Sequence, residues 1–146
     1  MTRAAMMRVW ETHLRAEFDS KDIDTLMTTV TDDVVNHNMP VNTGARGYQA
    51  VRAYYQDVFI ASLPDDWQVQ STNRVIGESQ LVEEVHITFT HSKQMDWLLP
   101  NVPPTSRHVT TDQVAVVGFR DGKICSERIY WDQLSVLRQV GVLPEP

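Results

Sequence analysis

The sequence has little cysteine, no cluster of basic residues and no long apolar run. Cys125 is the only cysteine among 146 residues, so an intramolecular disulfide is excluded and a cysteine-based zinc site would lack ligands. The net charge of -6, with no Lys/Arg cluster, argues against nucleic acid and an anionic membrane surface as partners. Arg3, Arg8 and Glu11 interrupt the early apolar residues, so no signal-peptide core is present. We therefore expect a cytoplasmic protein that binds neither nucleic acid nor membrane.

Several catalytic motifs are also missing. The sequence has no G-x-S-x-G elbow, no phosphate loop and no dinucleotide fingerprint, which argues against covalent-serine and nucleotide chemistry. The obvious metal ligands are His86, His91 and His108. However, His86 and His91 are five positions apart on one predicted strand and should point to opposite faces. We expect neither a metal nor another cofactor.

The order of predicted elements defines the fold class. With 42% hydrophobic residues, the chain is long enough for one globular domain, which we place over residues 1–146. Hydrophobic periodicity predicts helices over 2–20, 22–29 and 48–62, and strands over 34–40, 67–76, 81–92, 107–120 and 123–131. Helices followed by long strands indicate an α+β fold, with a curved antiparallel sheet wrapped around the N-terminal helices.

The strand from Lys123 to Trp131 carries the first catalytic candidate, Glu127. Its alternation places Glu127 on one face beside Cys125 and Ile129. An apolar pocket would raise the pKa of this carboxyl group and suit it to general acid/base catalysis. The alternative is a structural carboxylate paired with an arginine.

The turn at Asp121-Gly122 decides which residues of the preceding strand share the face of Glu127. A two-residue turn would place Val114 and Val116 there. A three-residue loop that ends with Gly122 in the left-handed conformation would place Thr111, Gln113 and Ala115 there. We predict the three-residue loop, since glycine at its third position is what that turn requires.

The strand over 81–92 also alternates, with Val85, Ile87 and Phe89 on one face and polar residues on the other. The polar face is either solvated or lines a cavity, in which case the apolar face packs against a second subunit. On the polar face, Glu84 and His86 would form a second acid/base pair or a polar network without chemistry.

The loop over 93–106 is long and apolar, with Met95, Trp97, Leu98 and Leu99 among its residues. Such a loop should either pack over an opening of the core or serve as a lid.

Together, the elements and two sequence stretches resemble a known group of proteins. Two helices, a short strand that ends in proline, a third helix and four long strands are similar to the nuclear-transport-factor-2-like superfamily. "FTHSKQMDWLLPNVPPTS" and "ERIYWDQLSVLRQVGVL" resemble stretches of its SnoaL-like polyketide cyclase branch. The resemblance implies a cystatin-like cone of sheet and helices around an apolar pocket.

Two kinds of relative allow positions to be compared. Limonene-epoxide-hydrolase-like enzymes share Asn38-Met39-Pro40, where the Asn helps to hold a water; their catalytic Arg and Asp match Glu84 and His86. Their second catalytic Asp, and the acid/base Asp of SnoaL-type cyclases, match Ile129. The nearest carboxylate on that face is Glu127.

The resemblance implies that a set of polar residues and Trp131 point inward: Asn36, Asn38, Glu84, His86, Gln113, Glu127 and Trp131. We predict four catalytic residues, Glu127, Glu84, His86 and Asn38. Six further residues are predicted to bind substrate: Asn36, Trp10, Tyr54, Trp97, Gln113 and Trp131. Backbone hydrogen bonding by the asparagines and core packing by the aromatic residues are the alternatives.

The resulting prediction is an enzyme that binds a small hydrophobic molecule and forms a homodimer through the outer sheet face. Without a cofactor, it would use acid/base catalysis to cyclise, lactonise or dehydrate a polyketide-like carbonyl compound. Hydrolysis of an epoxide or lactone, with a water held by Asn38, is the second hypothesis. A non-catalytic module for ligand binding and dimerisation is the third.

Overall fold

The computed structural model describes residues 1–146 and has an α+β architecture, with N-terminal helices against a curved, unclosed six-stranded sheet. The helices are α1 (Arg3–Leu14), α2 (Ile23–Met27), α3 (Tyr48–Ala53) and α4 (Gln133–Gln139). The strands are β1 (Val30–Asn38), β2 (Thr43–Arg46), β3 (Gln68–Ile76), β4 (Gln80–Thr90), β5 (His108–Arg120) and β6 (Lys123–Trp131). The predicted fold class is confirmed.

Side-chain caps fix where the helices begin. Thr2, Asp22 and Asp132 accept hydrogen bonds from backbone N–H groups in the first turns of α1, α2 and α4. Helix α1 continues without a break into a π-helical turn, Arg15–Asp19, and α3 continues into another, Tyr54–Phe59. The predicted helix over 2–20 is therefore one continuous segment with wider hydrogen bonding in its last turn.

The sheet has the strand order β2-β1-β6-β5-β4-β3. All neighbours are antiparallel except β1 and β6, which run parallel, so the expectation of a purely antiparallel sheet is wrong at this one pair. Strand β2 lies between the predicted strand over 34–40 and the predicted helix over 48–62, where no strand was predicted. At its Gly44, a Cβ would come within 2.1 Å of the carbonyl oxygen of Asn36, so this pairing requires glycine.

The turn between β5 and β6 differs from its prediction, although the face assignment holds. Asp121 and Gly122 both have positive φ (52° and 78°), as a type I′ turn requires. The connection is therefore a two-residue turn and not the predicted three-residue loop. A bulge at Cys125 then shifts the register by one residue. As a result Gln113 lies opposite Trp131, and the semi-polar face of β5 does share the face of Glu127.

Strand β4 is oriented opposite to its prediction. Ile87 and Phe89 are at most 1% exposed and belong to the core, whereas Glu84 and His86 are exposed on the outer face. A strand exposes alternate residues, so burial of this apolar set necessarily turns the polar set outward. The predicted inward position of Glu84 and His86 is wrong, and the homodimer prediction no longer follows from Val85, Ile87 and Phe89.

The core is one cluster of 26 buried residues between the helices and the concave face of the sheet. The loop over 93–106 packs over its end, with Met95, Trp97, Leu98 and Leu99 at most 1% exposed. Of the two roles predicted for this loop, packing over a core opening is the one that the structure shows. None of the helices is long and apolar enough to cross a membrane.

Replacing Ile87 with alanine should lower the free energy of unfolding by about 2–4 kcal/mol, because the deletion leaves a cavity at a fully buried site. Val75→Ala on β3 is the control. Val75 is 57% exposed, so its truncation should cost less than about 1 kcal/mol. Urea denaturation measures both losses, and equal losses would contradict the inward orientation of Ile87.

Candidate active site

Glu127 lies on the concave face of β6 and is 4% exposed. Its Oε1 accepts a hydrogen bond from the hydroxyl group of Tyr55 (3.1 Å) and lies 2.9 Å from Nε2 of His13 on α1. The ring of Trp10 stacks on the imidazole of His13 at 5.4 Å between centroids. The carboxylate is therefore held between a helix and the sheet, away from water.

The hydrogen bonds around His13 fix which nitrogen carries a proton. The hydroxyl group of Thr29 donates to the carbonyl oxygen of Leu26 (2.6 Å), so toward Nδ1 of His13 (2.8 Å) it can only accept. Nδ1 must therefore carry a hydrogen. A neutral His13 would then present a lone pair at Nε2, directly toward an oxygen of Glu127.

A contact of 2.9 Å between two acceptors requires a proton between them. Either His13 is an imidazolium or Glu127 is protonated. Burial alone would lower the pKa of His13, but the charge and hydrogen bond of Glu127 raise it above the ordinary value. The favoured form is an ion pair of imidazolium and carboxylate.

The third member of the cluster is Glu17, in the π-helical turn that follows α1. Its Oε2 lies 3.6 Å from Nε2 of His13, and the residue is 6% exposed. Burial raises the pKa of Glu17 to about 8; the charge of His13 lowers it and the charge of Glu127 raises it. Because one imidazolium cannot compensate two buried carboxylates, Glu17 stays a neutral acid near neutral pH.

A layer of amide and hydroxyl groups lies beside the cluster. Nδ2 of Asn36 donates to the hydroxyl oxygen of Tyr55 (3.1 Å), which itself donates to Glu127. Nδ2 of Asn38 donates to the hydroxyl oxygens of Tyr54 (2.8 Å) and Thr43 (3.1 Å). Burial raises the pKa of both tyrosines, so their hydroxyl groups remain protonated.

A cavity of about 240 Å³ separates α1 and its π-helical turn from the sheet. Glu17 and Glu127 both line it, and Arg15, Asp19 and Ser71 are exposed at its rim. Most of the remaining wall is apolar, formed by Trp10, Leu14, Phe18, Val69, Val85, Ala115 and Ile129. The cavity suits a small, largely hydrophobic molecule with a polar reacting group.

A second cavity, of about 40 Å³, shares Glu17, Glu127 and Ile129 with the first. Asn36 and Asn38 line it, and Oδ1 of Asn36 has no hydrogen-bond partner in the protein. The volume exceeds the roughly 15 Å³ that one water molecule needs. This cavity thus adjoins the larger one and has room for a water molecule beside Asn36 and Glu127.

The structure separates the predicted site residues into three groups. Glu127 lines both cavities, Trp10 lines the larger one, and four others line the smaller one: Asn36, Asn38, Tyr54 and Trp97. Gln113 and Trp131 lie on the inner face but line neither. Glu84 and His86 are outside, where His86 bonds to Asp112 (2.7 Å), so their predicted contact with substrate is wrong.

The sequence reasoning missed the two helical members of the cluster, His13 and Glu17. They are four positions apart, which places both on the buried side of one helix. An ionisable pair on the stripe that carries Met6 and Trp10 was the available clue. No group of three or more His, Cys, Asp and Glu side chains is arranged to hold a metal ion.

Comparison with known proteins agrees with this architecture. The profile of the SnoaL-like polyketide cyclase family matches residues 5–140. TsrD from Streptomyces laurentii has a TM-score of 0.75 at 18% identity, over 98% of this chain and 99% of that one. A nuclear-transport-factor-2-like protein from Burkholderia xenovorans has a TM-score of 0.71 at 18% identity, over 97% and 99%. No curated protein shows significant sequence similarity.

A third structure, from Catenulispora acidiphila, has a ketosteroid isomerase-like fold and was solved in complex with trimethylamine. It has a TM-score of 0.68 at 14% identity, over 91% of this chain and 92% of that one. At these identities the likeness shows the fold, which is nuclear-transport-factor-2-like. The profile match over most of the length shows the family: the chain belongs to the SnoaL-like polyketide cyclase family.

Glu17→Gln should make stability depend less on pH. The raised pKa of Glu17 means that its contribution to stability is fully present below pH 4.5, its ordinary pKa, and is lost as the pH rises through about 8. Glutamine stays neutral and avoids a loss of at most about 5 kcal/mol. The raised pKa of His13 acts in the same direction and remains in the variant.

Chemical denaturation between pH 4 and pH 9 measures this dependence. Glu84→Gln removes an exposed carboxylate of the same type and is the matched control. If Glu17→Gln and the wild type lose stability in parallel as the pH rises, Glu17 is ionised in the folded protein.

Proposed function

We propose that the protein is a cofactor-independent acid/base enzyme acting on a small hydrophobic carbonyl compound of the polyketide type. Aldol-type cyclisation is the leading reaction, with lactonisation or dehydration as variants. The observation that supports this is a buried imidazole within 3.6 Å of two carboxyl groups, both of which line a largely apolar cavity.

Glu127 is the proposed base. Its Oε1 is occupied by His13 and Tyr55, which leaves Oε2 to accept a proton from the carbon next to the carbonyl group of the substrate. The imidazolium of His13, 2.9 Å away, compensates the charge of this buried carboxylate. General base catalysis of this kind contributes about 10²–10⁴ to the rate.

Glu17 is the proposed acid. Its pKa of about 8 keeps it protonated at neutral pH, so it can donate to the carbonyl oxygen as negative charge develops there. The indole N–H of Trp10, which lines the same cavity, has no acceptor in the protein and is a second donor for that oxygen.

The arrangement of the three groups also allows Glu17 and Glu127 to regain their starting protonation states after each reaction. In an aldol cyclisation Glu127 takes a proton from carbon, the enolate carbon bonds to a second carbonyl carbon, and Glu17 protonates the oxygen of that carbonyl. The product is an isomer of the substrate, with one proton moved from Glu17 to Glu127. Nε2 of His13 lies 3.6 Å from Glu17 and 2.9 Å from Glu127, so it can transfer a proton back.

Glu127→Gln should slow the exchange of the acidic C–H hydrogens of 2-tetralone for deuterium by about 10²–10⁴, because the base is removed. This two-ring ketone tests proton abstraction without the natural substrate, and NMR in D₂O follows the exchange. Glu84→Gln and His86→Asn, both exposed, should keep the wild-type rate. Unchanged exchange in Glu127→Gln would rule out the base.

The same exchange should lose kcat/KM as the pH rises past about 8, where Glu17 gives up its proton. In Glu17→Gln the fall near pH 8 should be absent, and the rate at pH 7 should be lower because an amide cannot transfer a proton. A fall near pH 8 that persists in Glu17→Gln would assign the acid to another group.

Hydrolysis of an epoxide or lactone is a second candidate, supported by the smaller cavity. A water there would find an acceptor in Oδ1 of Asn36 and a base in Glu127. Both amide hydrogens of Asn38, predicted to hold this water, are already used by Tyr54 and Thr43. Asn36 therefore takes that role in this version of the reaction.

Reaction of indene oxide in ¹⁸O-labelled water separates the two candidates. Hydrolysis places ¹⁸O in the diol, and Asn36→Leu should reduce diol formation because the acceptor for the attacking water is lost. Exchange without enzymatic diol formation leaves cyclisation as the reaction.

A further inference from the structure

A second buried charged group lines the larger cavity at its far end, across the same face of the sheet from Glu127. Glu83 on β4 is 1% exposed and accepts two hydrogen bonds from Arg74 on β3, from Nε (2.5 Å) and from Nη2 (3.1 Å). Nη1 of Arg74 also donates to Glu11 on α1 (3.1 Å). The proposed reaction uses none of these three residues.

The pair of Arg74 and Glu83 retains capacity for a ligand. A guanidinium group has five N–H donors, of which Arg74 uses three here. Each carboxylate oxygen of Glu83 accepts one hydrogen bond and can accept another. The pair can therefore both donate to and accept from one group, which matches a hydroxyl.

The charge at this end of the cavity favours the same chemistry. One positive guanidinium faces two carboxylates, those of Glu83 and Glu11, so the formal sum is negative. An anionic group on a ligand would meet net repulsion at this end of the largely apolar cavity. A neutral hydroxyl group would not.

The sheet register gives the distance between the two ends. Arg74, Glu83, Ala115 and Ile129 form one row across β3, β4, β5 and β6, and Glu127 is two residues from Ile129. With about 4.8 Å between strands and about 6.8 Å per two residues, Cα of Glu83 lies about 12 Å from Cα of Glu127. Both side chains rise from the same face of the sheet, so their carboxylates are also roughly 12 Å apart, and about 3 Å of hydrogen-bond length at each end leaves roughly 6 Å for the ligand.

We infer that Arg74 and Glu83 determine specificity for the far end of the substrate. The substrate is a two-ring-sized hydrophobic carbonyl compound with a neutral hydroxyl group, not a carboxylate, roughly 6 Å from its reacting carbon. The identity of the reacting end rests on the proposed function.

Three 2-tetralones test the inference by isothermal titration calorimetry: the parent compound, 6-hydroxy-2-tetralone and 6-carboxy-2-tetralone. The hydroxyl group should lower Kd about tenfold relative to the parent, and the carboxylate should raise it about tenfold. Glu11→Gln removes one negative charge without altering the cavity lining. It should tighten binding of the carboxylate at least fivefold and leave that of the hydroxyl compound within twofold.

Glu84→Gln, which removes the same charge from the outer face, is the control and should change neither Kd. Equal Kd values for the hydroxyl and carboxyl compounds in the wild type would overturn the inference, as would Glu11→Gln without effect on the carboxylate. Deuterium exchange distinguishes the two proposals. If the protein catalyses deuterium exchange but binds the hydroxyl and carboxyl compounds equally well, only the specificity site is ruled out. If it distinguishes the two compounds but does not catalyse exchange, only the acid/base function is ruled out.

Discussion

The structure depends on the contact between His13 and Glu127, in which one proton is shared by two buried groups from opposite ends of the chain. It joins α1 to β6, so the helix and the last strand cannot separate without exposing or isolating a charge. Removal of one partner from a buried ion pair typically costs about 3–5 kcal/mol, because the other charge is left uncompensated. The same contact that holds the helix to the sheet thus keeps a carboxylate charged inside an apolar site.

Glu17 follows from that contact by a constraint of charge. With a single imidazolium available, a second carboxylate in the same space can be accommodated only as its neutral acid. The π-helical turn Arg15–Asp19 places this acid against the cavity that Glu127 also lines. Such turns are uncommon and often occur at functional sites. Two glutamates, Glu17 on the helical turn and Glu127 on β6, thereby acquire opposite protonation states.

The family resemblance placed Glu127, Asn36 and Asn38 on the inside, and all three are buried. The same resemblance also placed Glu84 and His86 inside, where they are not, because a period of two shows which residues share a face and not which face is inside. On β4, Glu83 and Glu84 are adjacent, so one of them must point inward. Glu83 can be buried because Arg74 on the neighbouring strand forms an ion pair with it. That partner is visible only once the strands are in register. His13 and Glu17 were missed for a related reason. Their role depends on the contact of His13 with Glu127, more than a hundred residues away, which the helix sequence alone does not reveal.

The position that aligns with the acid/base Asp of similar cyclases and epoxide hydrolases is Ile129, and the carboxylate on that face is two residues away at Glu127. Ile129 lines both cavities, as Glu127 and Glu17 do, so an apolar side chain stands where those relatives have the acid/base Asp. The proposed base is on the sheet and the proposed acid is on the helix, so a substrate would lie between them with one wall of the cavity on each side. A flat hydrophobic carbonyl compound satisfies that geometry, because its edges can reach both carboxyl groups while its faces contact the apolar walls.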